Sequence, residues 1–213
     1  MNEEERAPET SVPPSPRAPH PAGELRALFG RPHRTLAVVL AEPERLASTI
    51  AAGRNVVLLV GALLYTSVVF ALPFGAVLGL ERFWRVALLF VGSLAICFPS
   101  LQVFSSYVGC RMGVRQNLAL GLVITCVGGV FTFGFFPVLW FLQATMSAES
   151  STITPRHIAV VLLFLSLLAG IMHLYRCLRR VEGLVRAYSV VITCWQLVFV
   201  FISYRMARLL DLL

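Results

Sequence analysis

Four polar side chains stand in otherwise apolar stretches of this sequence: Gln102, Asn117, His173 and Gln196. Moving ions or protons through a bilayer calls for ionisable groups in such places, since these groups are costly in lipid and persist where they have a task. No Asp, Glu or Arg stands deep within any of the apolar stretches. Amides and one imidazole suit a plainer role, hydrogen bonding between helices, worth ~0.6 kcal/mol on average in a membrane. We therefore assign Gln102, Asn117, His173 and Gln196 as interhelical polar contacts.

His173 and Cys177 are four residues apart and share a helix face. A metal or redox pair could use that spacing, but zinc takes three or four protein ligands and no others are near in sequence. The commoner case is an interfacial histidine beside a basic turn. The five cysteines (Cys97, Cys110, Cys126, Cys177 and Cys194) lie within or at the edge of apolar segments, and no C-x-x-C pair occurs. Their reading is small apolar residues in helix packing. Ser93, Ser100, Ser166 and Ser189 are scattered and lack a neighbouring base, so no intramembrane nucleophile is assigned. No Gly-rich phosphate loop is visible. We expect no enzyme activity and assign no catalytic residue, cofactor or metal.

The elements that position these residues follow from composition. Of 213 residues 57% are hydrophobic and only 14% charged, against ~45–50% and ~25% for a soluble domain. The mean hydropathy is +0.78. Long uncharged stretches need lipid as solvent. They predict an all-α polytopic bundle of about five transmembrane helices, at about 56–80, 83–104, 117–142, 157–175 and 187–202, within a membrane domain covering 55–213. The fifth is the shortest. Pro73, Pro99 and Pro137 lie one in each of the first three segments. They read as helix kinks with packing around them, the alternative being broken helices that line a site.

Ahead of the spans, residues 1–35 read as a disordered, Pro-rich cytoplasmic tail, with Pro, Glu and Ser dominating its first part. No apolar stretch follows a basic start, so it does not read as a signal peptide. Within it, Leu25, Leu28 and Phe29 are spaced like one face of a helix, ended by Gly30-Arg31-Pro32. Residues 36–54 read as an interfacial amphipathic segment. Glu42-Pro43-Glu44 is a helix start, with Leu46 and Ile50 on one face.

The net charge is +7, and every basic residue is Arg. That usage fits a GC-rich bacterial genome. Nucleic acid is not expected as a partner, because the arginines flank apolar segments as topology signals do. With five spans, and counting from Arg26 onward, eleven arginines fall on one side: Arg26, Arg31, Arg34, Arg45 and Arg54, then Arg111 and Arg115, then Arg176, Arg179, Arg180 and Arg186. Five fall on the other: Arg82, Arg85, Arg156, Arg205 and Arg208. The positive-inside rule places the N-terminus in the cytoplasm and the C-terminus outside. The expected location is a bacterial inner membrane.

The layout resembles the Yip1-like superfamily of small polytopic membrane proteins, over about residues 36–205. The residues that carry the likeness are Glu42-Pro43-Glu44-Arg45 before the first span, Cys97-Phe98-Pro99-Ser100-Leu101-Gln102-Val103-Phe104 in the second, and the turn at Gly109-Cys110-Arg111. The resemblance implies a polar cytoplasmic region ahead of five clustered spans. It names no catalytic residue.

The expected role is a non-enzymatic membrane scaffold or accessory protein that organises partners or the bilayer. Its partners would be the lipid bilayer, proteins held through the N-terminal tail, and a second copy of the chain. The rival expectation is a transporter or channel subunit whose polar site forms in an oligomer. Convergence of Gln102, Asn117 and Gln196 on a solvated cavity would favour it.

Overall fold

The computed structural model describes residues 19–29, 31–79, 81, 83–107, 109, 112–145, 155–179 and 186–212. Among the described residues there are eight helices and no strand: α1 (Ala22–Phe29), α2 (Pro32–Ala41), α3 (Pro43–Ala52), α4 (Val56–Val77), α5 (Phe83–Tyr107), α6 (Val114–Thr145), α7 (Pro155–Arg179) and α8 (Arg186–Leu209). The chain is all-α, as its composition predicts. Residues 1–18 of the expected tail lie outside the described residues. From Ala22, however, the chain is already helical, ahead of the boundary expected at residue 35.

Local sequence explains the helix ends. Pro32 and Pro43 sit in the first turns of α2 and α3, where no hydrogen-bond donor is missed. Gly53 closes α3 with φ 68°, and Asn55 opens α4 with φ 59°. Both conformations are left-handed and suit these two residue types. The double reversal turns the chain from α3 straight into α4.

Four helices are long and apolar enough to cross a membrane: Val56–Val77, Phe83–Tyr107, Val114–Thr145 and His157–Arg176. At ~1.5 Å per residue, α4 extends ~33 Å and α6 ~48 Å, against a hydrocarbon core of ~30 Å. The first three helices continue through Pro73, Pro99 and Pro137. Pro99 and Pro137 are exposed and Pro73 is half-buried, so none of the three prolines is a core residue.

The bundle is built around α6. From Ala119 to Gly129 every residue is buried, and a helix covered on all sides has no single apolar face. Helices α4, α5 and α7 surround it. Small residues allow the close approaches. A Cβ at Gly129 would come within 2.9 Å of the Ser67 carbonyl oxygen on α4, and one at Gly170 of α7 would collide with the Ile124 carbonyl.

Helix α8 is less apolar, carrying Gln196, Arg205 and Arg208. It packs on α5 and barely touches α7. The Trp195 indole N–H donates to the Cys97 carbonyl at 2.9 Å. At the other end Arg85 donates to the Leu210 carbonyl at 2.8 Å. These two anchors make α8 run antiparallel along α5.

The first three helices do not stand apart. Leu25, Leu28, Val39, Leu46 and Ile50 belong to the same buried cluster as Leu63, Phe90, Ile124 and Phe199 of the long helices. The segment expected as interfacial is two helices, and its apolar face meets the protein's own bundle.

Candidate functional site

The most elaborate polar arrangement lies where α1, α2 and α3 dock on one end of the bundle, at the starts of α4 and α6 and the end of α7. We call these three helices the cap. Each joint brings a side chain from another element to backbone groups in or near the end turn of a helix.

Gln116, in the first turn of α6, makes the central joint. Its amide nitrogen donates to the carbonyl oxygens of Ile50 at 2.8 Å and Ala51 at 3.1 Å, in the last turn of α3. Its amide oxygen accepts from the Gly113 N–H at 2.7 Å, just ahead of α6. One side chain therefore closes the end of one helix and the start of another.

His173 makes the second joint. Its Nε2 lies 2.9 Å from the carbonyl oxygen of Val39, near the end of α2. A carbonyl only accepts, so Nε2 carries the proton. Phe29 of α1 adds an apolar contact, its ring seated against the bare backbone at Gly61 of α4.

The cap is also tied internally. The His20 backbone N–H donates to Thr49 Oγ1 at 3.0 Å, and its Nδ1 donates to Glu24 Oε2 at 2.9 Å. Arg45 donates to the same Glu24 oxygen at 3.2 Å and to Glu42 at 3.4 Å. The hydrogen bond from His20, aided by the Arg45 charge, holds the Glu24 carboxyl below its ordinary value against a smaller opposing effect of burial. On the outer surface Arg26, Arg31, His33 and Arg34 are exposed.

The expected interhelical contacts divide. The Asn117 amide nitrogen donates to the Gln102 amide oxygen at 2.8 Å, which joins α6 to α5. His173 joins α7 to α2. Gln196 is 7% exposed, yet its amide nitrogen has no hydrogen-bond partner among the described residues. Gln102 and Asn117 pair with each other and not with Gln196, whose neighbour Trp195 reaches Cys97 on another turn of α5.

Cys97 and Cys126 are buried thiols and Cys194 is exposed. Cys110, and the side chains of Cys177 and Ser189, lie outside the described residues. Among the described residues no three His, Cys, Asp or Glu side chains gather as a metal would need. Ser100 and Ser166 donate to carbonyls of their own helices, Cys97 and Leu162, at 2.7 and 2.8 Å.

Sequence reasoning missed Gln116, the residue with the most joints. It stands between Arg115 and Asn117 just ahead of a predicted span, and only that place before a helix start hinted at a cap. No family model, curated protein or solved structure matches this chain. The Yip1-like resemblance thus rests on layout and on the segments quoted above.

Proposed function

We propose that this chain is a non-enzymatic integral membrane scaffold or accessory protein. In this reading α4 to α8 are five spans in a bacterial inner membrane, with the cap in the cytoplasm and the C-terminus outside. The observation that carries it is the seam just described: Gln116 and His173, on two long helices, hold backbone carbonyls of the cap. A cap tied to the bundle in this way is a fixed platform.

Two further features support the reading. Arg26, Arg31 and Arg34 on the cap are exposed, and so are Arg54, Arg115 and Arg176 close by. Each arginine near an anionic leaflet contributes about 1 kcal/mol of attraction, and such residues favour the cytoplasmic side. Helix α8 pairs with α5 at both ends, as a fifth span would and a helix lying across the surface would not. A transporter or channel subunit is the second reading. The unpartnered buried hydroxyls of Ser67 and Ser93 favour it, with a second copy completing the site.

The test has two arms. In a Cys-free background, Ser11→Cys, Ser150→Cys and Leu209→Cys are probed with an impermeant thiol reagent on intact cells. Labelling at 150 and 209, but not at 11, is expected. Photo-crosslinkers at His33 and Leu40, both exposed on the cap, should then trap discrete protein adducts that disappear when Arg26, Arg31 and Arg34 become Gln. Absence of adducts at every exposed cap position would remove the scaffold reading.

A further inference from the structure

At the end of the bundle opposite the cap, α5, α7 and α8 line a narrow groove. Its walls include Leu89 and Phe90 of α5, Leu163 and Leu167 of α7, and Ser203 and Ala207 of α8. Other apolar residues of α7 and α8, such as Val161, Leu165 and Phe201, are exposed. The free space inside is only about 10 Å³, about one water-sized group. An acyl chain therefore lies along the open mouth of the groove, over its apolar walls.

Two polar features mark the groove. Ser203 is 4% exposed, and its hydroxyl has no hydrogen-bond partner among the described residues. A serine inside a helix usually donates to its own helix four residues back, as Ser166 does to Leu162. A buried hydroxyl left without a partner costs ~1–3 kcal/mol unless something else supplies one. The second feature is the rim. Arg208 lies one turn beyond Tyr204, whose ring meets Phe164 across the α7–α8 seam with centroids 6.2 Å apart. Arg208 is exposed and makes no ion pair among the described residues. Arg85, one turn above Leu89, is already engaged by the Leu210 carbonyl and lies 3.7 Å from Asp211.

We propose that this groove binds one anionic phospholipid. An acyl chain lies along the mouth of the groove formed by α5, α7 and α8, Ser203 donates to the glycerol ester, and Arg208 meets the phosphate. Ser203 and Arg208 are five residues apart, ~7.5 Å along the helix. A guanidinium on a long side chain therefore stands above the hydroxyl in the order in which phosphate stands above ester. The proposal rests on the reading that these helices span a bilayer.

The test uses the full chain purified in mild detergent and examined by native mass spectrometry with added phosphatidylglycerol or phosphatidylcholine. Phosphatidylglycerol adducts should survive activation that strips phosphatidylcholine. Arg208→Gln should weaken them about fivefold, the worth of one arginine near anionic headgroups. Ala207→Phe, which fills the groove, should abolish them. Should that variant fold poorly, Ser203→Ala serves instead and should reduce retention of both lipids. Equal retention of the two lipids, or adducts unchanged in Ala207→Phe and Ser203→Ala, would overturn the proposal. Carbonate extraction of the cell membranes reads the membrane premise separately. A chain released by carbonate would refute that premise, whereas a chain retained without adducts would refute only the lipid site.

Discussion

The Nε2 of His173 on α7 lies 2.9 Å from the carbonyl oxygen of Val39 on α2, across 134 residues of sequence. That bond couples the end of a long apolar helix to the cap. His173→Leu keeps the apolar bulk and removes the donor. A lost hydrogen bond of this kind is worth ~1 kcal/mol. Trypsin should then cut at Arg26 and Arg34 sooner than in the parent, with the bundle still protected. An unchanged cleavage rate would mean that the bond does not hold the cap.

Gln116 should matter more than its partial exposure indicates. Gln116→Ala removes bonds to Ile50, Ala51 and Gly113 together, and should cost more than the single bond lost in His173→Leu. Gln116→Glu should be worse still, since a carboxylate would face two carbonyl oxygens with no donor. Amide hydrogen exchange in α3 is the readout. Equal exchange in parent, Ala and Glu forms would refute the joint.

Glu24 makes the cap pH-sensitive. Its folded value lies below the ordinary 4.5. A lowered carboxylate value contributes stability that is complete above the unfolded value and lost as pH falls through the folded one. The cap should therefore hold steady above about pH 4.5 and loosen below it. Glu24→Gln should lack the charge-linked part of that loss, so parent and variant should converge in acid. Pepsin cleavage of the cap across that window measures it.

The pair Gln102 and Asn117 offers a double-mutant cycle. The coupling expected is about 0.6 kcal/mol, the average for polar pairs between membrane helices. Thermal unfolding of the two Ala single variants and the double variant in detergent gives it. A coupling of zero would mean that the amides are not bonded in the membrane.

Gly170 and Gly134 differ in what surrounds them. A Cβ at Gly170 meets the Ile124 backbone, whereas one at Gly134 meets nothing. Gly170→Ala should destabilise the bundle by separating α7 from α6. Gly134→Ala should be neutral or stabilising by up to ~1 kcal/mol, the helical preference of Ala over Gly. Similar melting temperatures for the two variants would show that α6 and α7 do not approach this closely.

Sequence alone determined the class and the long helices. Apolar runs of twenty residues or more have few foldings open to them, because each backbone polar group must be satisfied within its own helix. The observed α4, α5, α6 and α7 thus overlap the predicted segments closely, with ends shifted by a few residues. The polar side chains were also legible as hydrogen-bonding groups, because amides in apolar helices need partners. What only the tertiary structure decided was which partner each one meets. Gln102 finds Asn117 because α5 and α6 pack in one register, while the Gln196 amide nitrogen on α8 bonds to neither. The cap was hidden for the same reason. Its helices are short, with too few apolar residues to stand alone, and they take their place from contacts with residues far along the chain, such as Gln116 and His173. Such contacts leave no periodic trace in the sequence, since they join helix ends and not helix faces.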